Sequence, residues 1–336
     1  MTKLITIAVD AMGGDNSPKK IIEGIELYNK QNKNIFYKIF GNKNVIEKII
    51  SEKSINKENY ELIHTDEKIE NEDTALTAAK RGKKTSMWLS IESVKNKSSD
   101  IVVSAGNTGA LFVIAKLNLN MIEKIDKPAL SGLWPNKTGM NVVLDLGANI
   151  ECSEKNLIDF SYMGAALYKA LYPDVEPKVA LLNVGSEEIK GNEVIKKVFQ
   201  HIKKTNEKNF DFHGYIEGNH IMDGDANVII TDGFTGNIAL KTAEGTANFI
   251  TTNLKKSLTN NIFGRLSSLL SFYALKDFKN KLDPRKYNGA IFLGLNGPVV
   301  KSHGSTDSRG LAYSIKMCSK IVKGNLIKKI KKNLNI

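Results

Sequence analysis

Short, nearly unbroken apolar runs rich in Val and Ile recur along this chain, each followed by a longer stretch of helical period. The runs "LITIAVD" (4–10), "IFYKIF" (35–40), "IVVS" (101–104), "NVVLDL" (141–146), "KVALLNV" (178–184), "NVIIT" (227–231) and "AIFLG" (290–294) predict strands. Several have no polar face, which is the pattern of strands covered on both sides. Between them, 17–30 predicts a helix with Ser17 as N-cap and Pro18 at the first helical position. Residues 153–171 predict another, with Ser153 as cap and Leu157, Phe160, Met163, Gly164 and Leu167 on one face. This alternation implies a three-layer α/β/α sandwich around a largely parallel sheet. The seven prolines do not cluster and no linker divides the chain, so 1–336 reads as one domain. One region departs from the alternation. From Thr235 to about Lys281 two helical patterns follow each other with no strand between, so 245–285 is expected to project as a helical pair. The terminal "LIKKIKKNLNI" reads as a short basic amphipathic helix or a frayed tail.

Apolar residues at 41% and charged residues at 25% of 336 give ample material for a core. No stretch has the apolar length to cross a bilayer, and the start of the chain lacks the layout of a signal peptide. Cys152 and Cys318 offer neither a disulfide framework nor metal-ligand spacing, so a reducing cytoplasm and a metal-free chemistry are expected. The formal charge is +12. The lysines are dispersed, which favours solvated helix faces over one basic patch, although a basic surface also steers anionic partners. Nucleic acid is not expected, because no recognition helix and no basic stretch with stacking aromatics is present.

Two turns stand out. "SAGNTG" (104–109) and "TDGFTG" (231–236) share one frame: a hydroxyl residue, any residue, Gly, any residue, Thr, Gly. Each follows a β-branched run and opens an apolar helix. In doubly wound sheets ligands sit at such strand-to-helix turns, where unpaired N–H groups and the helix dipole favour an anion. Ser104, Gly106, Asn107, Thr108 and Gly109, with Gly233, Thr235, Gly236 and Asn237, are therefore candidate phosphate-binding residues facing a shared crevice. The same frame also fits two tight turns whose threonines cap the helices. Neither turn is a dinucleotide fingerprint or a P-loop.

"NGPVVKSHGSTDS" (296–308) places Lys301 and His303 in a Gly- and Ser-rich loop between a strand and a helix around Leu311–Met317. With Asp232 at the second turn they form the candidate catalytic set. Asp10, Asp15, Asp145 and Asn183 also sit at strand ends and read as caps and loop organisers. Cys152 reads as a small apolar residue rather than an acyl-accepting nucleophile, since no His lies near it in sequence.

"DAMGGD", "SAGNTGA", "LDLGAN", "LLNVGSEEIKG", "TDGFTGN" with "LKTAEG", and "YNGAIFLGLNGPVVKSHGS" occur in order from about Ile7 to Met317, and together they resemble the bacterial phosphate acyltransferases. Asn227, Lys127 and the pair Asn219–His220 depart from that family's pattern. The resemblance implies transfer of a long-chain acyl group from acyl carrier protein to inorganic phosphate. It also implies delivery of the acyl phosphate to a membrane glycerol-3-phosphate acyltransferase, a phosphotransacetylase-like fold, no cofactor, a homodimer and loose attachment to the inner membrane face. A phosphotransacetylase-like use of acyl-coenzyme A is the alternative, and a non-catalytic docking protein a more distant one. Within 262–282, Phe263, Leu266, Leu269, Leu270 and Tyr273 with flanking Arg and Lys have the composition of an interfacial helix for an anionic membrane, or of one covered by a dimer partner.

Overall fold

The computed structural model describes residues 4–205, 207–281 and 283–336. In chain order the elements are β1 (Ile5–Asp10), α1 (Lys19–Asn29), β2 (Ile35–Gly41), α2 (Lys43–Ser51), β3 (Tyr60–His64), α3 (Ala75–Arg81), α4 (Ser86–Lys95), β4 (Ile101–Ser104) and α5 (Thr108–Leu119). They continue as β5 (Ala129–Pro135), β6 (Met140–Leu144), α6 (Glu154–Leu171), β7 (Lys178–Asn183), α7 (Glu193–Thr205), β8 (Asp211–Glu217), β9 (Val228–Ile230) and α8 (Gly233–Thr259). The last third holds α9 (Ile262–Leu270), α10 (Phe272–Lys281), β10 (Ala290–Leu293), β11 (Val299–Lys301), α11 (Ser308–Lys323) and α12 (Leu326–Asn333).

The strands form one 11-stranded sheet in the order β3-β2-β1-β4-β11-β10-β5-β6-β9-β7-β8. Helices cover both faces, giving the expected three layers. Ile7, Val9, Leu144 and Leu181 point into a large cluster shared with α1, α6, α7, α11 and α12. The alternate residues face the other side. There Ala8 and Val102 meet α4 and α5, while Val143 and Ile229 meet Leu240 and Ala243 of α8. Period-2 alternation thus serves two cores at once, which is why these strands carry no polar face.

Strand direction decides where the ends go. β3, β2, β1, β4 and β11 run parallel. Three antiparallel pairings follow, β11–β10, β10–β5 and β5–β6, after which β6, β9, β7 and β8 are again parallel. Three reversals leave the two parallel blocks pointing in opposite directions.

Several local expectations change. β3, β5, β8 and β11 were not expected from the sequence; β3 and β8 are the sheet's two edges, with half-exposed alternating residues in place of an apolar run. Ser17 does not cap α1, which starts one residue later than expected; its hydroxyl instead donates to the Gly13 carbonyl at 2.6 Å. Ser153 does cap α6, in a reciprocal box with Asn156. The expected helical pair is three helices, because Asn261 opens a new helix by accepting from Gly264 N–H at 2.7 Å. α12 is docked rather than frayed, with Leu326 and Ile330 buried against the body.

Candidate active site

The β1, β4 and β11 carboxyl ends lie side by side at one edge of the sheet, and the three loops that leave them interlock. A Cβ on Gly13 would stand 2.6 Å from Gly106 N, and one on Gly14, at φ +80°, would stand 2.8 Å from the Ala105 carbonyl oxygen. Only glycines let "DAMGGD" lie against "SAGNTG" at that distance. The third loop joins through Gly304, whose carbonyl accepts Asp15 N–H at 3.0 Å.

Asp10 organises this junction from beneath. It is buried, and its carboxylate accepts the Ser86 and Ser104 hydroxyls at 2.6 Å each. Burial raises its pKa above the ordinary carboxylate value, against the lowering pull of those hydrogen bonds. Ser104 passes the connection on, its oxygen accepting Gly106 N–H at 3.0 Å. Asn107 is committed to structure: it caps α5 through Ala110 N–H at 3.0 Å, and its amide donates to the Asn71 and Asp73 carbonyls. That leaves exposed Thr108 and Gly109 in the first helical turn, where N–H groups have no intrahelical acceptor.

Lys301 ends β11, so it belongs to a strand rather than the expected loop. Its ammonium donates to the Ala105 carbonyl at 3.5 Å and to that of Ser302. Burial, aided by the nearby Lys20 cation and opposed by Asp10, pushes its pKa down to about 8. His303 follows in the loop. Asn288 holds its backbone N–H at 2.9 Å, and the Ser305 hydroxyl and N–H sit 3.0 Å and 3.4 Å from Nδ1. A backbone N–H can only donate, so Nδ1 is the acceptor and the neutral ring carries its proton on Nε2. Burial first, then Lys301, holds the imidazole below its ordinary value, which favours that neutral form.

The second turn leaves β9, in the other parallel block of the sheet. β9 stands five strand positions from β4, in the block whose strands run in the opposite sense. Asp232 is the N-cap of α8: its carboxylate accepts Thr235 N–H at 2.8 Å and the Thr235 hydroxyl at 2.9 Å. Gly233 and Gly236 are packing glycines pressed on the Asp145–Asn149 loop; a Cβ on Gly236 would lie 1.9 Å from the Asp145 carbonyl oxygen. Asn237 lies against Gly147 of the same loop. Asp145 is buried and fully engaged with the Leu130, Ala148 and Asn149 N–H groups. α8 connects the second turn to His303: Glu244 and Lys241, about 12–16 Å along the helix from Gly233, act on the charge of His303. Asp232 and Thr235 are thus engaged in capping, Gly233 and Gly236 in packing, and Asn237 in contact with the Asp145–Asn149 loop. A shared six-residue frame specifies a strand-to-helix turn, not where that turn lies.

Cys152 is half-buried beside Asp145, and burial with that carboxylate pushes its thiol up to about 11. A neutral thiol is a poor nucleophile. Cys152→Ser is expected to keep turnover within about twofold of the parent, and complete loss would restore it as a nucleophile. Among the described residues no group of three or more His, Cys, Asp or Glu side chains is placed to hold a metal ion, and no helix is long and apolar enough to cross a membrane.

The family model described as "Fatty acid synthesis protein" matches residues 5–329. A Pelagibacter ubique protein named phosphate acyltransferase is 64% identical over 334 residues, covering 99% of this chain and 100% of that one. The chain belongs to the bacterial phosphate acyltransferase family. Membership makes it an acyltransferase. Among solved structures, a branched-chain phosphotransacylase from Enterococcus faecalis superimposes with a TM-score of 0.59 at 14% identity, covering 95% of this chain and 99% of the other. A phosphotransacetylase from Streptococcus pyogenes gives a TM-score of 0.61 at 15% identity, covering 98% and 95%. At such identities the likeness establishes the fold. Lys20 and Asn288, which hold the third loop, were missed by sequence reasoning; Lys20 had been one of many lysines, and only its burial at 5% exposure distinguishes it.

Proposed function

We propose that the site formed by the β1, β4 and β11 loops transfers a long-chain acyl group from the thioester of acyl carrier protein to inorganic phosphate. The observation that carries this reading is the Lys301 ammonium, which donates to the Ala105 carbonyl at 3.5 Å in the turn that leads into α5. An anion there meets the exposed N–H groups of Thr108 and Gly109, the Thr108 hydroxyl and the Lys301 ammonium. A phosphate oxygen attacks the thioester carbonyl, the new C–O bond forms as the C–S bond breaks, and the sulfur leaves as thiolate. His303 supplies an Nε2–H toward the negative charge that develops, and solvent or that group protonates the thiolate. A thioester is already activated, so positioning and charge compensation suffice without a covalent enzyme intermediate.

Relatives named phosphate acyltransferase and the family's link to fatty acid synthesis support the acceptor and the lipid setting. The named phosphotransacylase and phosphotransacetylase of the same fold favour a second reading, with a coenzyme A thioester as donor. Phosphate-dependent thiol release measured with palmitoyl-acyl carrier protein and with acetyl-coenzyme A decides between them. Release from the second substrate alone would replace the first reading, and release from neither would end both.

The projecting helices support a membrane-side role. Beyond Ala243, every residue of α8 except half-buried Leu258 is exposed, and in α9–α10 Phe263, Leu269, Leu270 and Tyr273 are 71–83% exposed. Water-exposed apolar side chains at that density need a cover. We assign it to a second copy of the chain along α8 and to an anionic membrane surface at α9–α10, from which acyl phosphate passes to a membrane glycerol-3-phosphate acyltransferase. Leu269→Glu with Leu270→Glu is expected to lose co-flotation with anionic liposomes while keeping soluble turnover. Undiminished flotation would exclude this segment.

A further inference from the structure

Lys20 is an anomaly for its residue type. It is the second residue of α1, buried at 5% exposure, whereas lysines are almost never fully buried unless paired. Its ammonium donates to the Gly304 carbonyl, the same oxygen that accepts Asp15 N–H at 3.0 Å and lies 3.0 Å from where a Cβ on Gly14 would stand. One carbonyl of the third loop is therefore gripped from two points of the first.

We propose that Lys20 is a positioning residue of the acyl-transfer site: it straps the His303–Ser305 loop through Gly304 and sets the electrostatic environment in which Lys301 meets phosphate. The inference rests on the reading of Lys301 as the phosphate-facing cation. The surrounding charges explain the second half. The two lysines meet at one loop contact: Lys301 donates to the Ala105 carbonyl, which lies 3.4 Å from where a Cβ on Gly304 would stand, and Lys20 donates to the Gly304 carbonyl. Lys20 and Asp10 act on the Lys301 charge in opposite senses. Around His303 in the same loop lie Lys301, Lys20, and Lys241 and Glu244 of α8. Burial lowers the pKa of Lys20, and the Asp15 charge opposes that by favouring the ammonium. Lys20 therefore adds a fixed positive charge that loosens the proton on Lys301, and a phosphate dianion at Lys301 relieves the repulsion between the two.

Lys20→Met keeps the length and removes both the charge and the strap. The alkaline limb of kcat/KM for phosphate is expected to move up by about one pH unit, the scale on which a neighbouring charge shifts a partly shielded group. Turnover below that limb should fall several-fold as the loop loosens. Lys20→Arg, which keeps the charge but not the bond geometry, should retain the parent limb and lose only rate. A purely structural lysine would change the rate in both variants and move the limb in neither, and that result overturns the inference. Titration of Lys301 by NMR of protein carrying ¹³C at lysine Cε gives the same answer where turnover is too low, since the Lys301 transition itself must shift upward in Lys20→Met. Parent enzyme that releases no thiol in response to phosphate would remove the underlying reading and this inference with it; a parent-like limb in an active Lys20→Met enzyme would remove this inference alone.

Discussion

Lys301→Met is expected to lower kcat/KM for phosphate about a thousandfold in a protein that melts like the parent, the size of effect seen when one preorganised charge-stabilising group is removed from an active site. The side chain is largely buried, and its hydrogen bonds go to two carbonyls rather than to a carboxylate, so most of its charge is available to an incoming anion. The same geometry fixes a pH signature. Burial and Lys20 lower the Lys301 pKa to about 8. A lysine is cationic below its pKa, so the Lys301 contribution to kcat/KM is complete well below pH 8 and is lost tenfold per unit above it. Bound phosphate favours the cation, so the corresponding limb in kcat lies at higher pH than the limb in kcat/KM, which reports the free enzyme. Lys301→Arg keeps a charge at every accessible pH and should abolish the limb near 8 whatever its absolute rate. Parent-like rates in Lys301→Met, or a profile flat to pH 10 in the parent, would remove Lys301 from the chemistry.

How much of this was legible in the sequence follows a physical division. Two-sided burial writes itself into a strand as an unbroken apolar run, so β1, β2, β4, β6, β7, β9 and β10 could be read directly. Edge strands carry a weaker signal: β8 alternates, contains Gly214 and pairs with β7 across an irregularity between Val179 and Ala180. β11 is three residues long and follows Gly297–Pro298, which reads as a loop. The first glycine turn, Lys301 and His303 were identified, and the structure does bring them together. What no local pattern carries is direction. The reversals at β10, β5 and β6 are set by chain connectivity, and they put two turns of nearly identical frame on strands of opposite sense. Lys20 was invisible for a related reason, since a lysine two residues after a solvent-facing turn looks like any surface lysine until the Gly304 carbonyl is placed above it.

The second of these turns makes a stability prediction of the opposite character. Gly236→Ala should destabilise the fold by about 3 kcal/mol or more, at the upper end of what overpacking costs, because its Cβ would lie 1.9 Å from the Asp145 carbonyl oxygen and 2.9 Å from Thr231 Cγ2. Neither neighbour can withdraw cheaply. The Asp145 backbone is bonded to Thr231 at 2.9 Å, and the first turn of α8 is held by Gly233 N–H to the Asn149 carbonyl at 2.8 Å and by the Asp232 cap. Gly245, nine residues further along the same helix, is the control: nothing lies within 4 Å of its Cβ position, so Gly245→Ala should stabilise by about 0.5–1 kcal/mol through the entropy that glycine loses in a helix. Urea denaturation midpoints for the three proteins measure both changes. The decisive comparison is activity per folded molecule. If the second bend only packs, folded Gly236→Ala enzyme turns over at close to the parent rate at low temperature, where enough of it is native. If Gly236→Ala is instead as stable as the parent yet inactive, the bend holds a ligand after all, and the chemistry must be moved off the β1–β4–β11 edge.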